Sequence, residues 1–183
     1  MLLKSLYHFK IIQKDVQKME NSLKKKLAQI KLFITDVDGV LTDGSLYYTD
    51  EGLVMKKFQV KDGMGTRLLK ESGIKTALIS TDTSELMKLR GERLKMDFIH
   101  IGSWDKDQIM LKICDELKIK PKNVGFIGDD VNDLEVLKKV GFAACPNDAV
   151  EKVKKVCDYV CKMKGGDGAY REVADLILKY KKD

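Results

Sequence analysis

From Lys31 onward, short apolar runs that each end in Gly or Asp alternate with longer amphipathic stretches. Leu32–Thr35 (LFIT), Lys75–Ser80 (KTALIS), Phe98–Ile101, Val124–Gly128 (VGFIG), Phe142–Cys145 and Tyr159–Cys161 predict buried strands. Between them, Met64–Ser72, Ser84–Leu94, Asp105–Leu117, Asn132–Val140, Ala149–Val156 and Ala169–Tyr180 predict helices. The first stops at Gly73, the third ends before Pro121 and the fourth stops at Gly141. Ser45–Tyr48 and Leu53–Phe58 flank the turn Thr49-Asp50-Glu51-Gly52 and predict a hairpin. Apolar strands alternating with amphipathic helices predict an α/β protein, a parallel sheet covered on both faces. In such sheets the site lies beyond the carboxyl ends of the strands.

Residues 1–30 follow another pattern, a charged amphipathic helix with Leu23, Leu27 and Ile30 at helical spacing. This divides the chain into a basic helical extension, 1–30, and one domain, 31–183. Residues 1–31 hold eight Lys against two acids, a net +6, while the other 152 hold 26 charges of each sign. The pI of 9.0 therefore belongs to the arm and does not mark a nucleic-acid-binding body. Met19 opens an alternative start, and residues 1–18 are expected to be an extension without function. An apolar fraction of 44% excludes a disordered chain. No apolar run approaches the ~18–20 residues of a membrane span, and the start lacks a signal peptide's apolar core. A cytoplasmic protein with no membrane partner is expected. Its cysteines, Cys114, Cys145, Cys157 and Cys161, then stay reduced as small hydrophobes.

The residues after the strands carry the chemistry. Asp36-Val37-Asp38-Gly39 follows the first strand, Ser80-Thr81-Asp82 the second, and Gly128-Asp129-Asp130-Val131-Asn132-Asp133 the fourth. Lys106 sits at a helix start. Two carboxylates about 4 Å apart repel by roughly 4 kcal/mol at an effective dielectric near 20. Three or four do not all stay ionised without a cation. Oxygen-only ligands suit a hard ion such as Mg²⁺, and Mg²⁺ with a Lys points to phosphoryl transfer. An Asp can attack phosphorus, and a second Asp can protonate the leaving oxygen and then activate water. Asp38-Gly39, Asp43-Gly44 and Asp62-Gly63 taken singly also read as turns, and Asp129 and Asn132 as helix caps. Their joint placement at strand ends favours a site.

Thr35-Asp-Val-Asp-Gly-Val-Leu-Thr-Asp-Gly44 resembles the first motif of haloacid dehalogenase superfamily phosphotransferases, with Ser80, Lys106 and Gly128–Asp133 similar to the second, third and fourth. FQVKDGMG (Phe58–Gly65) and GGDGAYRE (Gly165–Glu172) resemble its capless subgroup of 3-deoxy-D-manno-octulosonate-8-phosphate (Kdo-8-phosphate) phosphatases and nine-carbon sugar-acid relatives. The resemblance implies a doubly wound, three-layer sandwich with no cap domain. It implies Mg-dependent hydrolysis of a phosphomonoester through an aspartyl-phosphate, on a 3-deoxy-2-keto sugar-acid phosphate of lipopolysaccharide precursor synthesis. It also implies roles. Asp36 is nucleophile and metal ligand. Asp38 is acid/base and binds metal through its backbone carbonyl. Asp129 is the third metal contact. Asp130 and Asp133 orient metal waters and Lys106, while Ser80 and Lys106 hold phosphoryl oxygens. Finally it implies a homotetramer, with the Ser45–Phe58 hairpins central and a neighbour covering the open site.

Two positions depart from the eight-carbon pattern. Thr-Gly-Arg is here Ser80-Thr81-Asp82, and GGRGA is Gly165-Gly166-Asp167-Gly168-Ala169. Both acids resemble the nine-carbon group, in which basic residues at positions like Arg90 and Arg93 follow. These two Arg lie on one helical face and suit a substrate carboxylate. Asp82, Arg90, Arg93 and Asp167 are therefore candidate substrate-binding residues, and a nine-carbon ulosonic acid 9-phosphate is the alternative substrate. Two further classes compete: a receiver-like signalling domain, and a catalytically idle assembly module. The retained acids and Lys106 argue against the second.

Overall fold

A computed structural model describes residues 17–18 and 20–181. The expectation for residues 1–18 therefore lies outside the described residues, but for the last two. Residues 20–28 form a helix, α1. There follow β1 (Leu32–Thr35), β2 (Tyr47–Thr49), β3 (Gly52–Met55), α2 (Val60–Glu71), β4 (Lys75–Ile79), α3 (Glu85–Arg93) and β5 (Phe98–His100). Then come α4 (Lys106–Leu117), β6 (Val124–Ile127), α5 (Leu134–Leu137), β7 (Phe142–Cys145), α6 (Glu151–Lys154), β8 (Tyr159–Val160) and α7 (Ala169–Tyr180).

Six strands form one parallel sheet in the order β5-β4-β1-β6-β7-β8. The chain winds outward from β1 through β4 to β5, returns to β6 on the other side of β1, and winds outward to β8. That reversal opens a crevice beyond the carboxyl ends of β1 and β6. β1 is buried throughout, as expected of a central strand covered on both faces. Phe33 packs with Leu27, Leu69, Tyr170 and Ile177, and its ring lies 5.0 Å from that of Tyr170. Leu32 and Ile34 pack on the opposite face with Met110, Ile113, Val136 and Val153. Burying a side chain of such size contributes on the order of 2–3 kcal/mol. Leu27 and Ile30 precede Lys31 yet lie inside the first core. No helix among the described residues is long and apolar enough to cross a membrane.

Four expectations need correction. The hairpin forms as β2 and β3, shorter than expected. α2 starts at Val60 rather than Met64, so Asp62-Gly63 is helical and not a turn. The reason is tertiary. Asp62 Oδ1 accepts the Arg171 N–H at 3.0 Å, at the start of α7. Thr66 Oγ1 donates to Tyr170 Oη at 3.1 Å. A Cβ on Gly65 would stand 3.2 Å from that of Ala174, so glycine lets α2 and α7 close together. The FQVKDGMG and GGDGAYRE blocks are thus packing partners. Third, the expected Asn132–Val140 helix is a 3₁₀ turn, Val131–Asp133, followed by the single turn of α5. Asp133 is diverted from helix duty because its carboxylate reaches back to the Asp129 N–H, 3.0 Å away. The expected Ala149–Val156 helix is likewise one turn, α6.

Candidate active site

Sheet register sets the centre of the site. Thr35 pairs with Ile127, and the Asp36 N–H donates to the Ile127 carbonyl at 3.0 Å. Asp36 on β1 therefore leaves the sheet level with Gly128, beside the acidic loop after β6. At the first residue of α4, Lys106 is buried and turned inward. Its Nζ lies 2.9 Å from Asp36 Oδ2 and 2.6 Å from Asp133 Oδ1. Burial works against the Lys106 charge, but Asp36 and Asp133 outweigh it and hold its pKa above the usual lysine range.

One ammonium does not balance this centre. Carboxylate oxygens of Asp36, Asp129 and Asp133 lie within 4.8 Å of one another. Burial pushes Asp36 up to about 7, the Asp133 charge adds to this, and Lys106 opposes both. Burial pushes Asp129 up to about 8, reinforced by Asp36, Asp133 and Asp130. Asp133 spends Oδ1 on Lys106 and Oδ2 on the Asp129 N–H. Asp36 and Asp129 are left facing a cleft of about 370 Å³, lined also by Asp38, Gly39, Thr81 and Trp104. A crowded, all-oxygen donor set that resists ionisation fits a hard divalent cation such as Mg²⁺.

Backbone geometry makes room for this crowding. Gly39 has φ +78°, and a Cβ there would stand 2.0 Å from Asp129 Oδ2. A Cβ on Gly165 would stand 2.0 Å from the Gly39 carbonyl oxygen. The Gly166 N–H donates to the Val40 carbonyl at 3.0 Å. The C-terminal glycine pair therefore props the first loop from behind, and a side chain at either position would push that loop into the acids.

Asp38 also faces the cleft, but its partners differ. Thr42 Oγ1 donates to Asp38 Oδ1 at 3.2 Å. Lys56 Nζ lies 2.8 Å from Oδ1 and 2.7 Å from Oδ2, and also bonds Asp82 Oδ2. Burial opposes the charge on both Lys56 and Asp82, yet their contacts raise the first and lower the second. Ser80 is buried at the end of β4, and its Oγ accepts the Asp82 N–H at 3.1 Å. Asp130 bonds the Val131 N–H at 2.6 Å, so Asp130, not Asp129, caps the 3₁₀ turn.

The four candidate substrate residues are not brought together. Asp82 is paired with Lys56. Asp167 is exposed on the rim, 3.7 Å from Lys57, which also lies 3.3 Å from Asp43. Arg90 and Arg93 line a separate cavity of about 640 Å³ against α2, with Arg67, Lys70 and Lys95. Arg90 donates to the Gln59 carbonyl at 2.9 Å and stacks over Phe58. Sequence reasoning missed Lys56, Thr42 and Trp104. For Lys56 the available signal was its place just before the FQVKDGMG block. In a hairpin with exposed strands, however, a lysine reads as a solubilising residue.

Comparisons with known proteins agree with this geometry. The sequence profile described as haloacid dehalogenase-like hydrolase matches residues 4–173. The chain is 35% identical over 157 residues to 3-deoxy-D-manno-octulosonate 8-phosphate phosphatase KdsC of Haemophilus influenzae, spanning 86% of this chain and 87% of that one. It is 38% identical over 153 residues to KdsC of Escherichia coli K12, spanning 84% and 81%. Among solved structures, the 3-deoxy-D-manno-octulosonate 8-phosphate phosphatase of Moraxella catarrhalis, in complex with magnesium ion, phosphate ion and KDO, superposes with a TM-score of 0.85. It is 38% identical and covers 88% of this chain and 92% of its own.

Proposed function

The chain belongs to the haloacid dehalogenase-like hydrolase family, and on that premise we propose that it is a Mg-dependent phosphatase of Kdo-8-phosphate. The observation that carries this reading is the convergence of Asp36, Asp129 and Asp133, with Lys106 paired to the first and third, in a chain whose curated relatives are named for that substrate. Family membership sets aside the receiver-like reading, and the intact acidic centre argues against an idle module.

Asp36, Asp129 and the Asp38 backbone carbonyl would hold Mg²⁺. When bound, the ion would supply positive charge that offsets charge on the phosphoryl oxygens. Asp36 attacks phosphorus, the ester P–O bond breaks, and Asp38 gives its proton to the departing sugar-acid oxygen. Asp38, now a carboxylate, takes a proton from water. The water oxygen attacks phosphorus, releasing inorganic phosphate and free Asp36. Lys106 and Ser80 hold phosphoryl oxygens. Asp133 fixes Lys106 and the Asp129 backbone, and Asp130 orients waters at the metal.

The same reading takes the chain as a homotetramer. Leu46, Tyr47, Tyr48, Val54 and Met55 of the hairpin region are exposed, an apolar ribbon that would be an aggregation liability in a monomer. A neighbour over the cleft would bring in residues that one chain leaves apart, Arg90 and Arg93 among them. Residues 31–183 carry the phosphatase chemistry, with 1–30 as a basic extension whose Leu27 and Ile30 pack into the core, and the protein works in the cytoplasm. The test is a comparison of specificity constants for phosphate release from Kdo-8-phosphate, a nine-carbon ulosonic acid 9-phosphate and an aryl phosphate. Kdo-8-phosphate should lead by at least about tenfold, about 1.4 kcal/mol of transition-state stabilisation. A lead for the nine-carbon acid would overturn the substrate while leaving the chemistry in place.

A further inference from the structure

Lys56 is out of character for its surroundings. It follows β3, whose Val54 and Met55 are about half exposed, yet only 7% of Lys56 is accessible. Burying an ammonium is costly unless it is paired and fully bonded. Here the pairing is complete: both oxygens of Asp38 and one of Asp82 surround Nζ. Asp82 is in turn fixed from below. Its Oδ1 accepts the Ser84 N–H at 2.6 Å, and its own N–H donates to Ser80 Oγ. The turn between β4 and α3 thus presents Oδ2 of Asp82 to Lys56.

We propose that Lys56 is a positioning residue for Asp38, and that Asp82 acts as the counter-charge that anchors Lys56 rather than as a substrate contact. The inference rests on the acid/base role proposed for Asp38. Lys56 grips both carboxyl oxygens, so it sets the direction in which Asp38 faces the cleft. An acid at position 82 then needs no donor group on the substrate to explain it.

A phosphate ester with a good leaving group needs little protonation, whereas a sugar or alkyl ester needs it fully. That difference separates positioning from mere bracing. The experiment measures kcat and KM at saturating Mg²⁺ for esters from 4-nitrophenyl phosphate to an alkyl phosphate, in wild type, Asp38→Asn, Lys56→Met and Asp82→Asn. Lys56→Met should lose about 10²-fold in kcat on the alkyl ester and less than about tenfold on the nitrophenyl ester. Asp82→Asn should show the same skew, but smaller. Lys56→Gln, which keeps a donor without the charge, replaces Lys56→Met should the latter melt below the assay temperature. Equal losses on all esters, or a rise in KM alone, would overturn the inference while leaving Asp38 as acid. If Asp38→Asn itself shows no skew, the role of Asp38 fails, and this inference with it.

Discussion

Asp36 and Asp62 are both aspartates buried in the same domain, and burial raises both, to about 7 and about 6 respectively. Their neighbourhoods differ. Asp36 shares its space with two other carboxylates and one lysine. Asp62 is a buried carboxylate of the α2–α7 seam, bonded through Oδ1 to a helix N-terminal N–H, with Arg90 and Arg171 near enough to lower its pKa. Its Oδ2 has no hydrogen-bond partner among the described residues. A single buried acid joined to a helix start is a packing device that tolerates its own cost. Two buried acids and a half-buried third around one ammonium are stable in charged form only with a further cation, and that need is what makes a site.

The contrast can be broken most severely at Asp36. Asp36→Asn keeps the side-chain volume and should remove turnover by about 10³-fold or more, about 4 kcal/mol of barrier, with the fold retained by circular dichroism. Asp62→Asn should leave turnover within a few-fold of wild type. Equal activity of the Asp36→Asn protein and wild type would reverse the assignment of the two regions.

Next in size is Lys106→Met. Removing one partner of a buried ion pair typically costs about 3–5 kcal/mol, and here Asp36 and Asp133 lose their shared cation. Thermal unfolding of the metal-free protein should show a large loss at pH 8 that shrinks at pH 5, where Asp36, which burial raises to about 7, takes up a proton instead. A loss independent of pH would mean that Lys106 serves packing alone.

The smallest effect sharpens the other side. The folded state binds the Asp62 proton more tightly than the unfolded chain does, so this group lowers stability as pH rises from about 4 to about 6. Its full cost, on the order of 3 kcal/mol, is reached above that range and absent below about pH 4. Asp62→Asn should remove that slope from the stability profile recorded with saturating Mg²⁺. An unchanged slope would show that Asp62 is ionised in the fold without penalty.

The same two regions mark how far the sequence could be read. The strands were legible because β1, β6 and β7 are short, mostly apolar runs buried throughout, and the strand-end motifs followed because a parallel sheet brings those ends to one edge. Helix starts were less so. Val60 opens α2 despite Gly63 and Gly65, because contact with α7, distant in sequence, outweighs glycine's low helix propensity. Lys56 was illegible for a related reason: its partners lie 18 and 26 residues away, and no local pattern separates a buried lysine from a solvated one. Asp82 and Asp167 were visible as departures, but their pairing with Lys56 and Lys57 is a tertiary fact.

The most direct test of the central claim, that the crowded acids are completed by a cation, is phosphate release from Kdo-8-phosphate after treatment with a metal chelator and again after adding Mg²⁺. Release should stop on chelation and return with Mg²⁺. Release that continues unchanged in the chelated protein would contradict it.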